Sequence, residues 1–441
     1  MDINLILAIA GGIAILLILI LYFKIQAFLA LLISSLMVGL LAGMSPDLVI
    51  KSITSGMGST LGFVATVVGL GALFGSILEH SGGSEAIARF LLKRFGEKNA
   101  DWALMSAGFI IAIPVFFDVA FIILAPIIYS LQKTSGKSLL LYALPLLAGL
   151  AITHSFIPPT PGPVAVAEIV DADLGWVILV GLIVGLPTAF ISGPIFSKYI
   201  GNKIFVDVPD YVAQSPSIEK KPPISTILVI IAIPILLILL NTASKSFDGF
   251  HIPFIELMGH PFTALIIANL LAWYFLGIKR GFTKEQLLDI NSKSLAPAGI
   301  IILLTGAGGA FKQVLIDTGS GQMIADVMSS MGIHVVLFAF IVAALVRILQ
   351  GSATVAMITA AGVVSTTLTP EIAEFQKAIL VITIASGATI LSHVNDSGFW
   401  LVNRYLGLTE KQTFKTWTVM ETIIAFSGLV FSSALWYISS L

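Results

Sequence analysis

Polar residues interrupt a long apolar segment in the last quarter of the chain. The stretch Ser392–Gly398, SHVNDSG, lies between the apolar residues 378–391 and the apolar Phe399–Val402. A charged group at the centre of a bilayer costs about 2.5–3.5 kcal/mol on insertion scales, and irregular backbone is tolerated there only where it packs in protein or lines a cavity. The alternative, a loop between two ordinary spans, leaves the following apolar piece too short to cross. We therefore expect a broken transmembrane helix at a substrate or ion site.

Three other apolar segments are interrupted in the same way. The interruptions are Pro114–Asp118, His154–Pro163 and Gln350–Thr354. Basic residues stand on both sides of the first of these segments, which predicts a re-entrant hairpin over residues 102–131. A second hairpin is predicted over residues 334–366, and the other two segments are predicted to be broken helices.

These interruptions carry groups that suit a small hydroxylated anion. Half-helix N-termini present unpaired N–H groups and a partial positive charge to an anion. Arg347 could add a bidentate carboxylate contact, or could serve only as a structural ion pair or an interfacial side chain. The hydroxyl and amide groups suit sugar-like hydroxyls, or serve only to bond neighbouring helices. The residues predicted to bind substrate are Phe117, Thr153, His154, Ser155, Thr160, Gly162, Arg347, Gly351, Ser352, Thr354, Ser392, His393, Asn395 and Ser397.

The titratable groups at the same places could move protons. Asp118 and Asp396 are carboxyl groups at predicted membrane depth, where burial disfavours the charged form. His154 and His393 titrate near neutral pH and are predicted as relays, or they only satisfy local backbone groups. Sodium is the alternative coupling ion, because Asn395, Ser397 and broken-helix carbonyl groups could coordinate it.

Composition limits the chain to one class. Of 441 residues 57% are hydrophobic and 11% charged, and the mean hydropathy is +1.03. These values and the long apolar runs indicate an all-α polytopic membrane protein. A net charge of −1 argues against nucleic-acid binding. The chain has no cysteine, HExxH or Walker A motif, so we predict no enzyme activity, metal or cofactor.

The two halves of the sequence resemble each other. Phe74-x-x-x-Leu78-x-x-Ser81-Gly82 matches Phe311-x-x-x-Leu315-x-x-Thr318-Gly319, and the interruptions follow in the same order, with His154 against His393. The predicted directions of the spans are opposite in the two halves, as in many secondary transporters. We predict an inverted repeat of five spans plus a re-entrant hairpin in each half, over residues 1–200 and 224–441.

Charge sets the expected orientation. Residues 201–223 are predicted to form a polar cytoplasmic linker between the two halves. With both termini periplasmic, most of the 23 Lys and Arg residues fall on the cytoplasmic side, as the positive-inside rule requires.

Four segments resemble the gluconate permease family, whose members are gluconate:proton symporters of a wider ion transporter superfamily. They are HSFIPPTPGP (His154–Pro163), GGAFKQVL (Gly308–Leu315), GSATVA (Gly351–Ala356) and SHVNDSGFW (Ser392–Trp400), and the similarity runs from about Lys24 to Val430. The resemblance implies proton-coupled uptake of gluconate or a related hydroxy-carboxylate across the bacterial inner membrane. It also implies paired re-entrant hairpins, an elevator-type motion and a homodimer.

Two positions depart from the family pattern. Some members have His where this chain has Thr160, and the first hairpin tip, with Asp118, varies between members. Both positions could set substrate choice or proton stoichiometry, so gluconate stands here for a class of small acids. A sodium-coupled carboxylate transporter of the same fold and a passive anion channel are the alternatives.

Overall fold

The computed structural model describes residues 3–209, 221–246, 252–319, 332–369 and 371–440. Within these ranges every regular element is helical, which confirms the predicted all-α class. Eight helices there are long and apolar enough to cross a membrane. Residues 210–220 of the predicted linker lie outside the described residues, and so does the segment 320–331, whose sequence predicts a short interfacial helix.

The first half of the chain contributes ten helices before the linker. They are α1 (Ile3–Leu21), α2 (Ala27–Leu41), α3 (Pro46–His80), α4 (Gly83–Phe95), α5 (Ala100–Ile111), α6 (Phe117–Ser135), α7 (Leu140–Phe156), α8 (Pro161–Val170), α9 (Leu174–Phe190) and α10 (Phe196–Gly201). A π-helical turn, Ile191–Ile195, joins α9 to α10.

The described part of the second half has a similar order of elements. Its helices are α11 (Ile224–Ser246), α12 (Pro253–Gly259), α13 (Pro261–Ala272), α14 (Lys284–Asp317), α15 (Val335–Gln350), α16 (Ala353–Ser365), α17 (Glu374–Thr389), α18 (Ser397–Tyr405), α19 (Glu410–Thr413) and α20 (Val419–Ser439). A π-helical turn, Phe414–Thr418, joins α19 to α20.

The long helices α3 and α14 pack along each other. Both are longer than their hydropathy predicts, because the polar, glycine-rich residues of Ser45–Gly58 and the polar residues before Leu295 are helical rather than connecting segments. Ser45 caps α3, and a capping box at Thr283 starts α14. The polar side chains in these extensions find partners across the pair, such as Ser52 Oγ donating to Asp317 Oδ2 at 2.5 Å. Polar composition alone therefore misplaced these helix ends.

Small residues let α3 and α14 approach closely. A Cβ atom added to Gly56 would lie 2.4 Å from the carbonyl oxygen of Gly309. Membrane helices often cross this closely at small residues, because packing rather than the hydrophobic effect holds helices together in a bilayer.

The two long helices also end in the same way. The Ser81 hydroxyl donates to the Leu78 carbonyl at 2.9 Å, and the Thr318 hydroxyl donates to the Leu315 carbonyl at 2.9 Å. The next residue in each case is a glycine with positive φ, +77° in one half and +72° in the other. The residues that match in sequence at these two places thus form the same local turn.

The four predicted interruptions all separate helices. Residues 112–116 lie between α5 and α6, and residues 157–160 lie between α7 and α8. Gly351 and Ser352 separate α15 from α16, and residues 390–396 separate α17 from α18. Between α5 and α6 the break begins two residues before the predicted tip at Pro114, because α5 already ends at Ile111.

Candidate substrate cavity

A cavity of about 600 Å³ is lined by residues of three of the helix breaks and by the end of α7, just before the fourth. Its volume is within the range of about 300–1,000 Å³ typical of small-molecule sites. The breaks after α5, α15 and α17 contribute to its wall, and so do the last turns of α7, the middle of α14 and the π-helical turn Phe414–Thr418 with the start of α20. The polar or aromatic residues that line it are Phe116, Phe117, Asp118, His154, Ser155, Arg347, Gln350, Ser352, Thr354, Asn395, Asp396, Ser397, Trp417 and Glu421.

Arg347 and Asp396 connect the second hairpin to the second broken helix. The side chain of Arg347 is 3% exposed, and its Nη2 atom lies 2.6 Å from Asp396 Oδ2. Its Nη1 atom donates to the carbonyl oxygen of Gly351, in the break of its own hairpin. The guanidinium therefore holds the hairpin tip and the start of α18 together.

The Asp396 carboxylate is fully engaged in local structure. Its Oδ2 atom also accepts a hydrogen bond from Ser392 Oγ at 2.5 Å, and its Oδ1 atom accepts one from Gly398 N at 3.1 Å. Asp396 thus caps α18 and neutralises Arg347 at the same time. These contacts support its role as the ion-pair partner more directly than the proton-carrier role predicted for it.

Trp417 extends this network to the last long helix. Its Nε1 atom donates to Ser392 Oγ at 2.6 Å, and the neighbouring Thr418 hydroxyl donates to the Ser392 carbonyl. The Trp417 ring lies 5.6 Å from the ring of Phe117 on α6. A chain of contacts therefore runs from the first hairpin through Trp417 and Ser392 to the Arg347–Asp396 pair.

The tip of the second hairpin fits closely against the second broken helix. His393 Nε2 lies 2.9 Å from the Ile348 carbonyl oxygen, and Asn395 Nδ2 donates to the same oxygen at 3.1 Å. Gly351 has φ +92°, and a Cβ atom there would lie 2.4 Å from the carbonyl oxygen of Asn395. Only glycine meets both conditions, the left-handed backbone and the absence of space.

The first half supplies a more apolar part of the wall. His154 lies between two aromatic rings, with centroid distances of 6.4 Å to Phe116 and 6.5 Å to Phe117. Its Nδ1 atom has no hydrogen-bond partner within the described ranges. Asp118 is exposed, and Ser155 lies beside His154 on the wall.

Five predicted site residues do not line this cavity. Thr153 Oγ1 donates to the Phe109 carbonyl at 2.9 Å, and Thr160 Oγ1 donates to the Ile157 carbonyl at 2.6 Å. Gly162 packs against Met357, where a Cβ atom would lie 2.9 Å from Cε. Ser392 and His393 act behind the wall through the hydrogen bonds given above. All five thus hold the breaks in shape and make no contact with the cavity.

Sequence reasoning missed Trp417 and Glu421. Glu421 is 4% exposed, and its Oε1 atom has no hydrogen-bond partner in the part of the chain that the structure describes. The rule that singled out Asp118 and Asp396, an acidic residue within an apolar segment, applies equally to Glu421. Trp417 gives no such signal, because a tryptophan near a helix end is ordinary in membrane proteins.

Among the described residues, no group of three or more His, Asp or Glu side chains is arranged to hold a metal ion. The cavity offers one guanidinium, several carboxyl groups, hydroxyl and amide groups and an aromatic wall. These groups suit the binding of a small polar anion and the movement of protons, with no covalent step.

This arrangement, helices that break around a polar cavity within a bundle of apolar spans, defines a membrane transport protein. The chain belongs to the GntP family of permeases, whose family model matches residues 3–438. This confirms the family resemblance and the prediction of a transport protein rather than an enzyme.

Several relatives are similar over almost their whole length. A gluconate permease of Pseudomonas aeruginosa is 41% identical over 94% of this chain and 94% of its own. A low-affinity gluconate transporter of Escherichia coli K12 is 40% identical over 97% of both chains. The Gnt-II system L-idonate transporter of the same organism is 38% identical over 96% of this chain and 97% of its own.

A solved structure shares the fold. The YdaH transporter of Alcanivorax borkumensis superposes with a TM-score of 0.66 over 92% of this chain and 96% of its own, at 14% sequence identity. At that identity the likeness concerns the fold alone.

Proposed function

We propose that the protein is a secondary active symporter that imports gluconate or a related aldonate with protons across the bacterial inner membrane. The observation that carries this proposal is the composition of the cavity wall. One guanidinium, already paired with Asp396, faces two further carboxyl groups, those of Asp118 and Glu421. An anionic substrate binds such a wall only when negative charge on the wall is neutralised, and protons can do this.

The wall also suits the substrate class in the names of the relatives. Gluconate and L-idonate are polyhydroxylated acids of the same length, and each needs a site for one carboxylate beside several hydroxyl groups. The N-termini of α6 and α16 face the cavity and favour the carboxylate. Ser352, Thr354 and Asn395 offer partners for hydroxyl groups, and the Phe117 and Trp417 rings offer an apolar surface to C–H groups.

The similar order of helices in the two halves supports an inverted repeat, with one hairpin and one broken helix in each. The matching turns at Ser81 and Thr318 support it further. We propose that the hairpins and broken helices move as a unit against the remaining spans, in an elevator-type motion within a homodimer. Both termini would lie in the periplasm, as the distribution of Lys and Arg indicates.

Transport into liposomes tests the coupling. Purified protein would be reconstituted and offered radiolabelled D-gluconate with an inward proton gradient, an inward sodium gradient, or neither. We expect accumulation above the external concentration with the proton gradient in sodium-free buffer, and no stimulation by sodium. Accumulation only with sodium would favour the sodium-coupled alternative, and equilibration without accumulation would favour a channel. L-Idonate, D-glucose and succinate as competitors would define the substrate class.

A further inference from the structure

Glu421 lies on the cavity wall, and one of its carboxyl oxygens has no hydrogen-bond partner among the described residues. It lies in the first turn of α20, it is 4% exposed, and its Oε1 atom accepts no hydrogen bond within the described ranges. An isolated carboxylate out of water is so costly that such groups are held neutral. By contrast, Asp396 has three donors, and Asp118 is exposed where water can solvate its charge.

Few of the helices that pack around Glu421 carry a titratable residue near it. The helices packed on α20 include α7, α9, α15 and α17. Arg347 faces it from α15 and His154 lines the same cavity from α7, whereas α9 and the adjoining π-helical turn contain no titratable residue. The titratable residues of α17 lie in its first turn, where Lys377 Nζ donates to the Asp171 carbonyl at 2.9 Å.

Two further carboxyl groups share the cavity with Glu421. Asp396 acts on it electrostatically from the start of α18, and Asp118 lies on the wall at the start of α6. Arg347 is thus the cation that faces Glu421 among the described residues that line the cavity. The charge of that cation is already committed to Asp396.

Arg347 retains an unused donor. Its Nη atoms bond to Asp396 and to the Gly351 carbonyl, but its Nε atom has no hydrogen-bond partner in the described part of the chain. An unused N–H on the guanidinium and an unused oxygen on Glu421 therefore belong to the same cavity. While Glu421 is neutral, Arg347 stays with Asp396. Once Glu421 is ionised, the two carboxylates compete for the same cation.

We propose that Glu421 carries the transported proton, and that its ionisation draws Arg347 away from Asp396. This inference deepens the proposed symport and rests on it. The proton comes from water in the cavity, binds the Glu421 carboxylate and returns to water on the other side. The neutral acid admits the substrate anion beside the intact Arg347–Asp396 pair. The ionised acid repels that anion and loosens the contact that holds the hairpin tip on α18.

The test compares coupled transport with exchange in the same liposomes. The measured quantity is the ratio of two rates. The rate of D-gluconate accumulation driven by a proton gradient is divided by the rate of gluconate–gluconate exchange, which needs no net proton movement. In Glu421→Gln we expect this ratio to fall at least tenfold, and proton entry driven by a gluconate gradient, read with a trapped pH dye, to fall to the background of empty liposomes. Glu168→Gln, a membrane carboxyl on α8 outside the cavity, is the matched control and should keep the wild-type ratio.

Several results would overturn the inference. One is a wild-type ratio in Glu421→Gln, above all if Asp118→Asn loses it. If Glu421→Gln neither accumulates nor exchanges, Glu421→Asp decides, because it keeps an acid and should move protons with a shifted pH profile. If the pH profile of Glu421→Asp is not shifted, the inference is wrong. The inference is also wrong if Glu421→Gln and Glu421→Asp both lose gluconate binding at an unchanged melting temperature, because Glu421 would then be a substrate ligand. A wild-type protein that moves no protons with gluconate would instead refute the proposed symport.

Discussion

Arg347 and Asp396, 49 residues apart, form an ion pair of 2.6 Å that joins a hairpin tip to the start of α18, the second part of a broken helix. The pair forms one side of the cavity, and it is largely withdrawn from solvent. The contact between the hairpin tip and α18 on this side of the cavity therefore depends on the guanidinium of Arg347. That dependence can be examined by changing each partner alone and both together.

Removal of one partner should destabilise the protein more than removal of both. Arg347→Met or Asp396→Asn leaves a charge or a polar group without its counterpart, and breaking a buried pair in this way costs about 3–5 kcal/mol. The double variant leaves no charge unpaired, so its loss of melting temperature in detergent should be well below the sum of the two single losses. Additive losses would contradict an energetic coupling between these side chains.

Gly351→Ala should prevent closure of the second hairpin. The added methyl group would meet the carbonyl oxygen of Asn395 at 2.4 Å, and φ is +92°. We expect at least a tenfold rise in the KM for gluconate in liposome uptake. Gly96→Ala is the control, because Gly96 also has positive φ but has no atom within 4 Å of the added Cβ. Equal effects of the two substitutions would assign the defect to backbone strain rather than to the contact.

Trp417→Phe isolates one hydrogen bond of the cavity wall. The change keeps a ring against Phe117 but removes the donor that lies 2.6 Å from Ser392 Oγ. A buried polar atom left without its partner costs about 1–3 kcal/mol, so the melting temperature should fall and gluconate affinity should weaken. Trp400→Phe removes a similar indole bond, 2.8 Å to the Val394 carbonyl, away from the cavity wall, and should leave affinity unchanged.

Glu85 should contribute to stability in a pH-dependent way. It lies on α4, where burial by itself raises the pKa of its carboxyl, but hydrogen bonds from Lys221 and Arg89 outweigh this and hold the pKa below 4.5. A lowered pKa stabilises the folded state above the unfolded pKa, and the contribution is lost as pH falls through the folded value. Glu85→Gln should therefore lower the melting temperature at pH 7 and have a much smaller effect near pH 3. An equal loss at both pH values would contradict the ion pair.

Much of the architecture was predictable because the membrane constrains the sequence strongly. Long apolar runs must be helices in a bilayer, and polar residues within them must be packed or line a cavity. All four helix breaks were located by that rule. The starts of α3 and α14 were not, because Ser52 and Asn291, in the polar first parts of these helices, bond across the pair to Asp317 and Ser76, and such pairing is invisible to a hydropathy pattern.

The individual roles of the site residues were harder to predict. The sequence places Arg347 just before one break and Asp396 at the end of another, but it gives no sign that the two side chains bond. His393 and Thr153 stand in the right segments, yet their side chains bond to backbone carbonyl groups behind the wall. Which side of a helix break faces a cavity depends on how neighbouring helices rotate, and one sequence does not fix that rotation.

The two halves of the chain put different chemistry on the cavity wall. The first half brings the Phe116 and Phe117 rings, Asp118 and His154, whereas the second half brings the Arg347–Asp396 pair and Glu421. The aromatic rings of the first half and the ion pair of the second half therefore lie in separate parts of the sequence. Under the proposed function, substitutions at the Phe116 and Phe117 rings would change the shape of the cavity while leaving the Arg347–Asp396 pair and Glu421 in place, so a change of substrate would not require a change in proton coupling.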